Sequence, residues 1–311
     1  MGARTRALAA LGTAVTLVAA GGVALAAGPP EVSVPRHIVE TLRQLRPEGR
    51  LIQVGNFPGG AALTPDGRFY WTVSAGYSEN DVRIVDVRTQ QVIQVIPIPG
   101  ASGGVTLDGP HGLAYVSGEP DSGSSETHSP PDTPGKQGDV IHVLHWSATT
   151  GEATRVSTIA VPPPSNAPSL DSFPPTIPPE KRSWPERLAV SPDGRTLLVA
   201  LGLADAAAIV DTQTKAVRYV STGSHPYGAA ILPDGQTGLV SNRGPGTVSV
   251  IDLTAGTKVK DIQVGAHLSH PETIELNPSG TRAFVPLTQA DSVAVIDTHT
   301  LSLERTLSTS R

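Results

Sequence analysis

Two histidines stand in the same short context, which makes them the first candidates for chemistry. The tripeptides are Ser224-His225-Pro226 and Ser269-His270-Pro271. Acidic, basic and phenolic side chains lie just after equivalent prolines: Glu186, Arg187, Tyr227 and Glu272. Imidazole and carboxylate groups together could hold a ligand or a divalent metal. Simple solvation of an exposed rim is the plainer interpretation, and no pair has the spacing typical of a metal-binding motif.

A second set of acidic residues recurs too regularly to be catalytic. Each closes an apolar run and precedes a threonine-bearing turn: Asp86, Asp211, Asp252 and Asp297. An aspartate in such a place accepts hydrogen bonds from the N–H groups of the turn. A catalytic acid is needed once in a chain, so the repetition favours a structural role.

The remaining motifs do not predict an enzyme. His142 and His145 differ by an odd number of residues, so on a strand they point to opposite faces. The glycines of 100–104 follow no strand-to-helix step, which argues against a phosphate loop. No serine lies in a Gly-x-Ser-x-Gly elbow on an α/β pattern. We therefore assign no catalytic residue, no metal ligand and no cofactor from the sequence.

The elements that must position these side chains come from an internal repeat of about 42 residues. Its first marker is a tight turn in which proline presets φ, aspartate bonds its own backbone and glycine takes positive φ. The turn occurs at Asp66-Gly67, Asp193-Gly194, Asp234-Gly235 and, as a variant, Ser279-Gly280. Runs ending in Val-Asp or Ile-Asp follow in phase. Markers that keep phase through four units indicate a repeat architecture.

Each unit contains four short β-branched or alternating segments separated by turns. Residues 225–267 show them most clearly, ending with the polar-apolar alternation of a half-exposed outer strand. Four antiparallel strands repeated around an axis form a β-propeller blade. The sequence thus predicts an all-β propeller with five visible blades, at 55–100, 101–162, 184–224, 225–267 and 268–308.

This arrangement places the first candidates together. Glu186, His225 and His270 lie where the innermost strands begin, so we expect them at one rim of the central channel. Two polar, proline-rich stretches, 119–138 and 162–185, read as exposed loop insertions. Residues 51–55 resemble an outer strand, as do 303–307. We therefore expect the chain to be truncated at its C-terminus, as part of a seven-bladed ring, with a six-bladed ring or an open five-bladed one as alternatives.

The ends of the chain and its composition indicate export. Residues 1–26 combine a basic start, an uncharged apolar run and a small-x-small cleavage site, which predicts a signal peptide followed by a lead-in at 27–50. No later segment is long and apolar enough for a membrane span.

Zero cysteines exclude disulfides and thiolate chemistry. A net charge of −5 argues against nucleic acid as a partner. We expect a monomeric, periplasmic or extracellular protein.

The markers resemble those of the YVTN-repeat, YncE-like β-propellers. The shared features are the Pro-Asp-Gly turn, the Val-Ile-Asp strand end and a Gly-x-x-Pro-type link such as Gly223-Ser224-His225-Pro226. The segment Arg46–Arg50 with the following strand is similar to a subgroup in which a secreted propeller precedes an alkaline-phosphatase-like phosphoesterase domain. The resemblance implies that this chain is the propeller part of such a protein. Because no catalytic constellation is found and propellers present loops on a rigid ring, we expect a binding or scaffolding module with an unknown protein or small-molecule partner. The alternative is a lactonase-like propeller hydrolase with a channel metal held by His225, His270, Glu186 or Glu272.

Overall fold

The computed structural model confirms the predicted all-β propeller. It describes residues 50–55, 57–75, 80–98, 100–118, 139–168 and 181–309. These residues form five separate four-stranded antiparallel sheets and no helix. The predicted signal peptide and the insertion 119–138 lie outside the described residues.

The five sheets, called blades one to five, follow one another along the chain. Blade one contains β1 (Pro58–Leu63), β2 (Phe69–Ser74), β3 (Asp81–Asp86) and β4 (Gln91–Pro97). Blade two contains β5 (Ala101–Asp108), β6 (Leu113–Gly118), β7 (Val140–Trp146) and β8 (Ala153–Ala160). Blade three contains β9 (Pro185–Val190), β10 (Thr196–Leu201), β11 (Ala206–Asp211) and β12 (Val217–Ser221).

Blades four and five keep the same order. Blade four contains β13 (Pro226–Ile231), β14 (Thr237–Asn242), β15 (Thr247–Asp252) and β16 (Thr257–Gln263). Blade five contains β17 (Glu275–Leu276), β18 (Arg282–Leu287), β19 (Ser292–Asp297) and β20 (Ser302–Ser308). Strands pair in sequence order within every sheet, and the first strands of blades one to four lie side by side.

The repeated turns have the geometry that their residues favour. The glycines that end the first turn of blades one, three, four and five have φ between 68° and 71°. Asp193 accepts the N–H of Arg195 at 3.1 Å, and Asp211 accepts the N–H of Thr214 at 2.7 Å. The hydrogen bonds from Thr214 hold the pKa of Asp211 below its usual range. The recurring aspartates therefore serve as turn caps.

Apolar clusters between neighbouring blades form the core. One joins blades one and two, where Trp71 and Trp146 meet edge to face with ring centroids 6.4 Å apart. Three more join blades two and three, three and four, and four and five. A single sheet cannot bury both of its faces, so each blade is stabilised by the next.

Blades one and five each have one uncovered face. In blade one, Leu63 and Tyr70 lie opposite each other and are 53% and 40% exposed. In blade five, Leu307 is 42% exposed. No cluster among the described residues joins these two blades. The seven-bladed ring and its alternatives, a six-bladed ring or an open five-bladed one, stay predictions.

Residues 51–55 do not form the outer strand suggested by their sequence. They nevertheless lie where the end of such a strand belongs. A Cβ atom placed on Gly55 would lie 2.9 Å from the Cβ atom of Ser74 in β2. Gly223, which follows the outer strand β12 of blade three, stands in the same relation to the next blade. A Cβ atom placed there would lie 2.9 Å from the Cβ atom of Asn242 in β14. A strand requires a paired neighbour, and no described sheet precedes blade one.

No helix in the described part of the chain is both long and apolar enough to cross a bilayer.

Candidate functional site

One rim of the propeller carries three side chains presented by unusual backbone. Trp184, His225 and His270 precede the prolines at the inner strands of blades three, four and five. Their φ angles are 52°, 53° and 52°. A residue before proline normally adopts extended backbone, and a left-handed conformation costs free energy outside glycine. Its recurrence in three blades means that neighbouring groups hold it in place.

Aspartates from the preceding blades hold two of these residues. Asp139, just before β7, accepts the N–H of Trp184 at 3.2 Å. Asp205, just before β11, accepts the N–H of His225 at 3.0 Å. The carbonyl of His225 in turn accepts the N–H of Arg243 at 3.0 Å. The backbone of His225 is thus held by blade three through Asp205 and by its own blade through Arg243.

A break in strand register then separates the next two side chains. In blade three, Pro185 pairs with Leu201, but the next pair is Leu188 with Val199, so the inner strand bulges at Glu186 and Arg187. Such bulges redirect side chains and are common beside functional sites. As a result Glu186 lines a rim pocket, whereas Arg187 lines the central cavity.

The rim pocket has a volume of about 340 Å³. It brings together three of the residues predicted from the sequence, namely Glu186, His225 and His270. The other lining residues are Trp184, Gly202, Leu203, Pro226, Arg243, Gly244 and Leu268. The pocket therefore combines ionisable groups from blades three, four and five with apolar walls.

The other three residues predicted from the sequence, Arg187, Tyr227 and Glu272, lie beside this pocket. Arg243 packs over the Tyr227 ring, with its Cζ atom 3.5 Å from the ring centroid, and Arg187 lies 5.1 Å from the same centroid. Arg243 also pairs with Glu272, with Nη2 and Oε2 2.5 Å apart. Two guanidinium groups and a phenol thus form a stacked cluster, in which each cation is attracted to the ring.

Arg187 connects blades across the central channel. Its guanidinium donates hydrogen bonds to the carbonyls of Gly59 in blade one and Gly103 in blade two. It also donates to the Tyr227 hydroxyl in blade four at 3.0 Å. The wider cavity around it measures about 640 Å³ and reaches Glu275 in blade five. Arg187 therefore links blade three to blades one, two and four, and it adds positive charge near the pocket.

Glu186 is the most perturbed carboxyl group at the rim. Burial raises its pKa to about 7, against the opposing effect of the cations Arg243 and Arg187. The carboxylate of Glu272 adds to the rise. Near neutral pH, Glu186 therefore exchanges readily between a proton-donating acid and a proton-accepting carboxylate.

The histidines and glutamates do not make a metal centre. Among the described residues, no group of three or more His, Asp or Glu side chains lies close enough to share one ion. His142 is fully buried and His145 exposed, in agreement with their expected opposite directions on β7. The metal-binding form of the hydrolase alternative therefore lacks a ligand set in this part of the chain.

Sequence reasoning missed Trp184, Arg243 and the supporting aspartates. Trp184 occupies the place before Pro185 that histidines take in the next two blades, so alignment of the repeats could have found it. Asp139 and Asp205 share the place before the third strand. Arg243 follows β14, and no local pattern indicates that it reaches Glu272 in the next blade.

The architecture is shared with many solved structures. No family model matches the sequence, and no curated protein matches it. A functionally unknown protein from Desulfotomaculum acetoxidans is 19% identical with a TM-score of 0.58, covering 85% of this chain and 76% of that one. A candidate 6-phosphogluconolactonase from Bacteroides fragilis is 18% identical with a TM-score of 0.59, covering 85% and 73%. One from Bacteroides uniformis is 14% identical with a TM-score of 0.58, covering 82% and 74%. These similarities define the class as β-propeller and show the fold alone.

Proposed function

We propose that this chain is an exported, non-catalytic β-propeller of the YVTN-repeat, YncE-like type that binds a small ligand in the rim pocket. One observation carries the proposal: three blades combine Glu186, His225, His270 and Arg243 around a single 340 Å³ cavity. Ligand sites are typically concave, largely apolar and furnished with a few convergent polar groups. A fused phosphoesterase domain is the protein partner suggested by the family resemblance.

The backbone at this rim supports a binding role. The left-handed conformation of His225 and His270, each directly before a proline, costs free energy. Asp205 stabilises that conformation at His225. Such strain is often found where side chains are preorganised for a ligand.

A test of binding uses the three tryptophans. Trp71 and Trp146 are buried in the core, at 0% and 4% exposure, so Trp184 is the one at the pocket. We expect its fluorescence to change on titration with at least one member of a set of small carboxylates, phosphates, amides and diamines. The change should be lost in Trp184→Phe.

Replacing a pocket histidine should weaken this binding. We expect His270→Ala to raise the Kd about tenfold or more, the effect of losing one or two polar contacts. His145→Ala, an exposed histidine on blade two, is the matched control and should leave the Kd within about twofold. Equal effects of the two variants, or no response to any compound, would contradict the proposal.

A lactonase-like hydrolase is the second candidate. The observation that favours it is the carboxyl of Glu186, whose pKa of about 7 suits a general base for activating water. Two structurally similar proteins are themselves candidate lactonases. Hydrolysis of a simple δ-lactone above the buffer rate, abolished in Glu186→Gln, would replace the binding-only proposal with this one.

A further inference from the structure

We propose that the rim pocket binds a small organic anion, a carboxylate or a phosphate, and that the protein takes up a proton at Glu186 as the anion binds. This inference rests on the proposed binding function and adds the chemical class of the ligand.

The groups around the pocket are mainly hydrogen-bond donors. The Arg243 guanidinium can only donate, and the imidazoles of His225 and His270 each carry at least one N–H. The indole of Trp184 donates to Glu186 itself. The Nε of Arg243 has no hydrogen-bond partner among the described residues. Among the described residues, Glu186 is the one carboxyl group that lines the pocket. A ligand rich in acceptors fits this set better than one rich in donors.

The charges near the pocket favour an anion in the same way. Arg187 and Arg243 contribute two positive charges, and Glu272 contributes one negative charge. Protonated Glu186 leaves this cluster with one net positive charge, whereas ionised Glu186 makes it neutral. An anion therefore interacts best with the protonated form, and binding should draw a proton onto Glu186.

The size of the pocket limits the ligand. A volume of about 340 Å³ lies at the lower end of the range of small-molecule sites. Leu203, Leu268 and Pro226 supply apolar walls beside the polar groups. A short carbon chain with one or two acidic groups satisfies both features.

The sign of the pH dependence follows from the proton uptake. With the Glu186 pKa at about 7, nine-tenths of the sites are protonated at pH 6 and about one-tenth at pH 8. The Kd for an anion should therefore rise about tenfold between pH 6 and pH 8. A cationic ligand would show the opposite trend.

The experiment titrates Trp184 fluorescence with four small probes at pH 6. Succinate and inorganic phosphate are the two anions, succinamide is the neutral analogue and 1,4-diaminobutane is the cation. We expect at least one anion to bind tenfold or more tightly than succinamide, with the diamine weakest. The relative affinity of succinate and phosphate identifies which acidic group the site prefers.

Two variants test the named groups. Arg243→Gln should reduce anion affinity about tenfold or more, with circular dichroism and the melting temperature showing that the variant is folded. Glu186→Gln should reduce the ratio of the succinate Kd values at pH 8 and pH 6 from about ten to near one. Succinate is the probe for this ratio because inorganic phosphate changes its own charge between these pH values. His225→Gln and His270→Gln separate any contribution from the imidazoles, and His145→Gln is the control.

The outcomes distinguish this inference from the binding function beneath it. Tighter binding of succinamide or the diamine than of either anion would overturn the anion assignment and leave a binding site in place. A Kd ratio that stays near ten in Glu186→Gln would overturn proton uptake at Glu186. A failure of all four probes to bind would contradict the proposed binding function itself.

Discussion

Gly60→Ala is expected to destabilise the propeller by about 3 kcal/mol or more, the upper range for overpacking a rigid site. A Cβ atom at Gly60 would overlap the backbone carbonyl oxygen of Gly103 in blade two and the Nη1 atom of Arg187. That carbonyl is the one to which Arg187 donates. The added methyl group would therefore separate two blades and break a hydrogen bond from a third.

The neighbouring glycine provides a matched control. A Cβ atom at Gly59 would meet only the Cα atom of Gly103, at 3.9 Å, which is ordinary van der Waals contact. We expect Gly59→Ala to change the free energy of unfolding by less than about 1 kcal/mol. Urea denaturation followed by circular dichroism measures both variants. Similar values for the two would show that the inner strands are not in close contact.

Gly60 represents a position that recurs in the inner strands. A Cβ atom at Gly104 would overlap the carbonyl of Glu186, and one at Gly228 would overlap the carbonyl of Glu272. In each case the backbone of the next blade approaches too closely for a side chain. These glycines allow the first strands of successive blades to come together around the axis.

Acid is expected to destabilise the chain through His142. This side chain is fully buried on β7, and neither ring nitrogen has a hydrogen-bond partner among the described residues. Burial, with a smaller effect of the nearby Arg155 cation, lowers its pKa from 6.5 to about 4. The folded protein therefore keeps His142 neutral at pH values where the unfolded chain protonates it.

The sign and size of the effect follow from linkage. Between pH 6.5 and pH 4 the unfolded state binds more protons, so the free energy of unfolding falls as the pH falls. The contribution of His142 is fully present above pH 6.5, and about 3 kcal/mol of it is lost by pH 4. Other groups also titrate in this range, so the contribution of His142 cannot be measured on the wild-type chain alone.

The variant His142→Leu separates the contribution of His142 from those of other titrating groups. Leucine fills a similar volume and removes two unpaired polar atoms, so we expect stability at pH 7 to be unchanged or increased. The difference between variant and wild type should then grow by about 3 kcal/mol from pH 7 to pH 4 in urea denaturation. His145→Gln, at an exposed position on the same strand, should show no such growth. A constant difference across this pH range would exclude His142 as the acid-sensitive group.

Local chemistry explains why strands and turns could be predicted from the sequence. The prediction placed a blade at 225–267, and the third strand of that blade, β15, is Thr247–Asp252. Its signals are β-branched residues between turns, and the turns depend on residues that adjoin them in the chain. Glycines with φ near 70° and aspartates bonded two or three residues ahead need no distant partner. The repeated order of these local signals was enough to predict blades.

The candidate site was only partly predictable for the opposite reason. Glu186 and Arg187 are adjacent in sequence, yet the bulge in β9 directs one to the rim pocket and the other to the central cavity. Arg243 acquires its role from Tyr227 in β13 and from Glu272, which precedes β17. The sequence showed that polar groups recur at the inner strands, but not which of them share a cavity.

The sequence by itself determined the class of fold, the blade repeat and the turn chemistry, because each rests on residues a few positions apart. Only the tertiary structure decided the contents of the rim pocket, the elevated pKa of Glu186, the lowered pKa of His142 and the absence of a strand at 51–55. All four depend on whether the neighbouring blade provides a hydrogen-bond partner, a charge or a surface that covers the residue. In a propeller the faces of each sheet are buried by other sheets, so side-chain environments are set between repeats rather than within them.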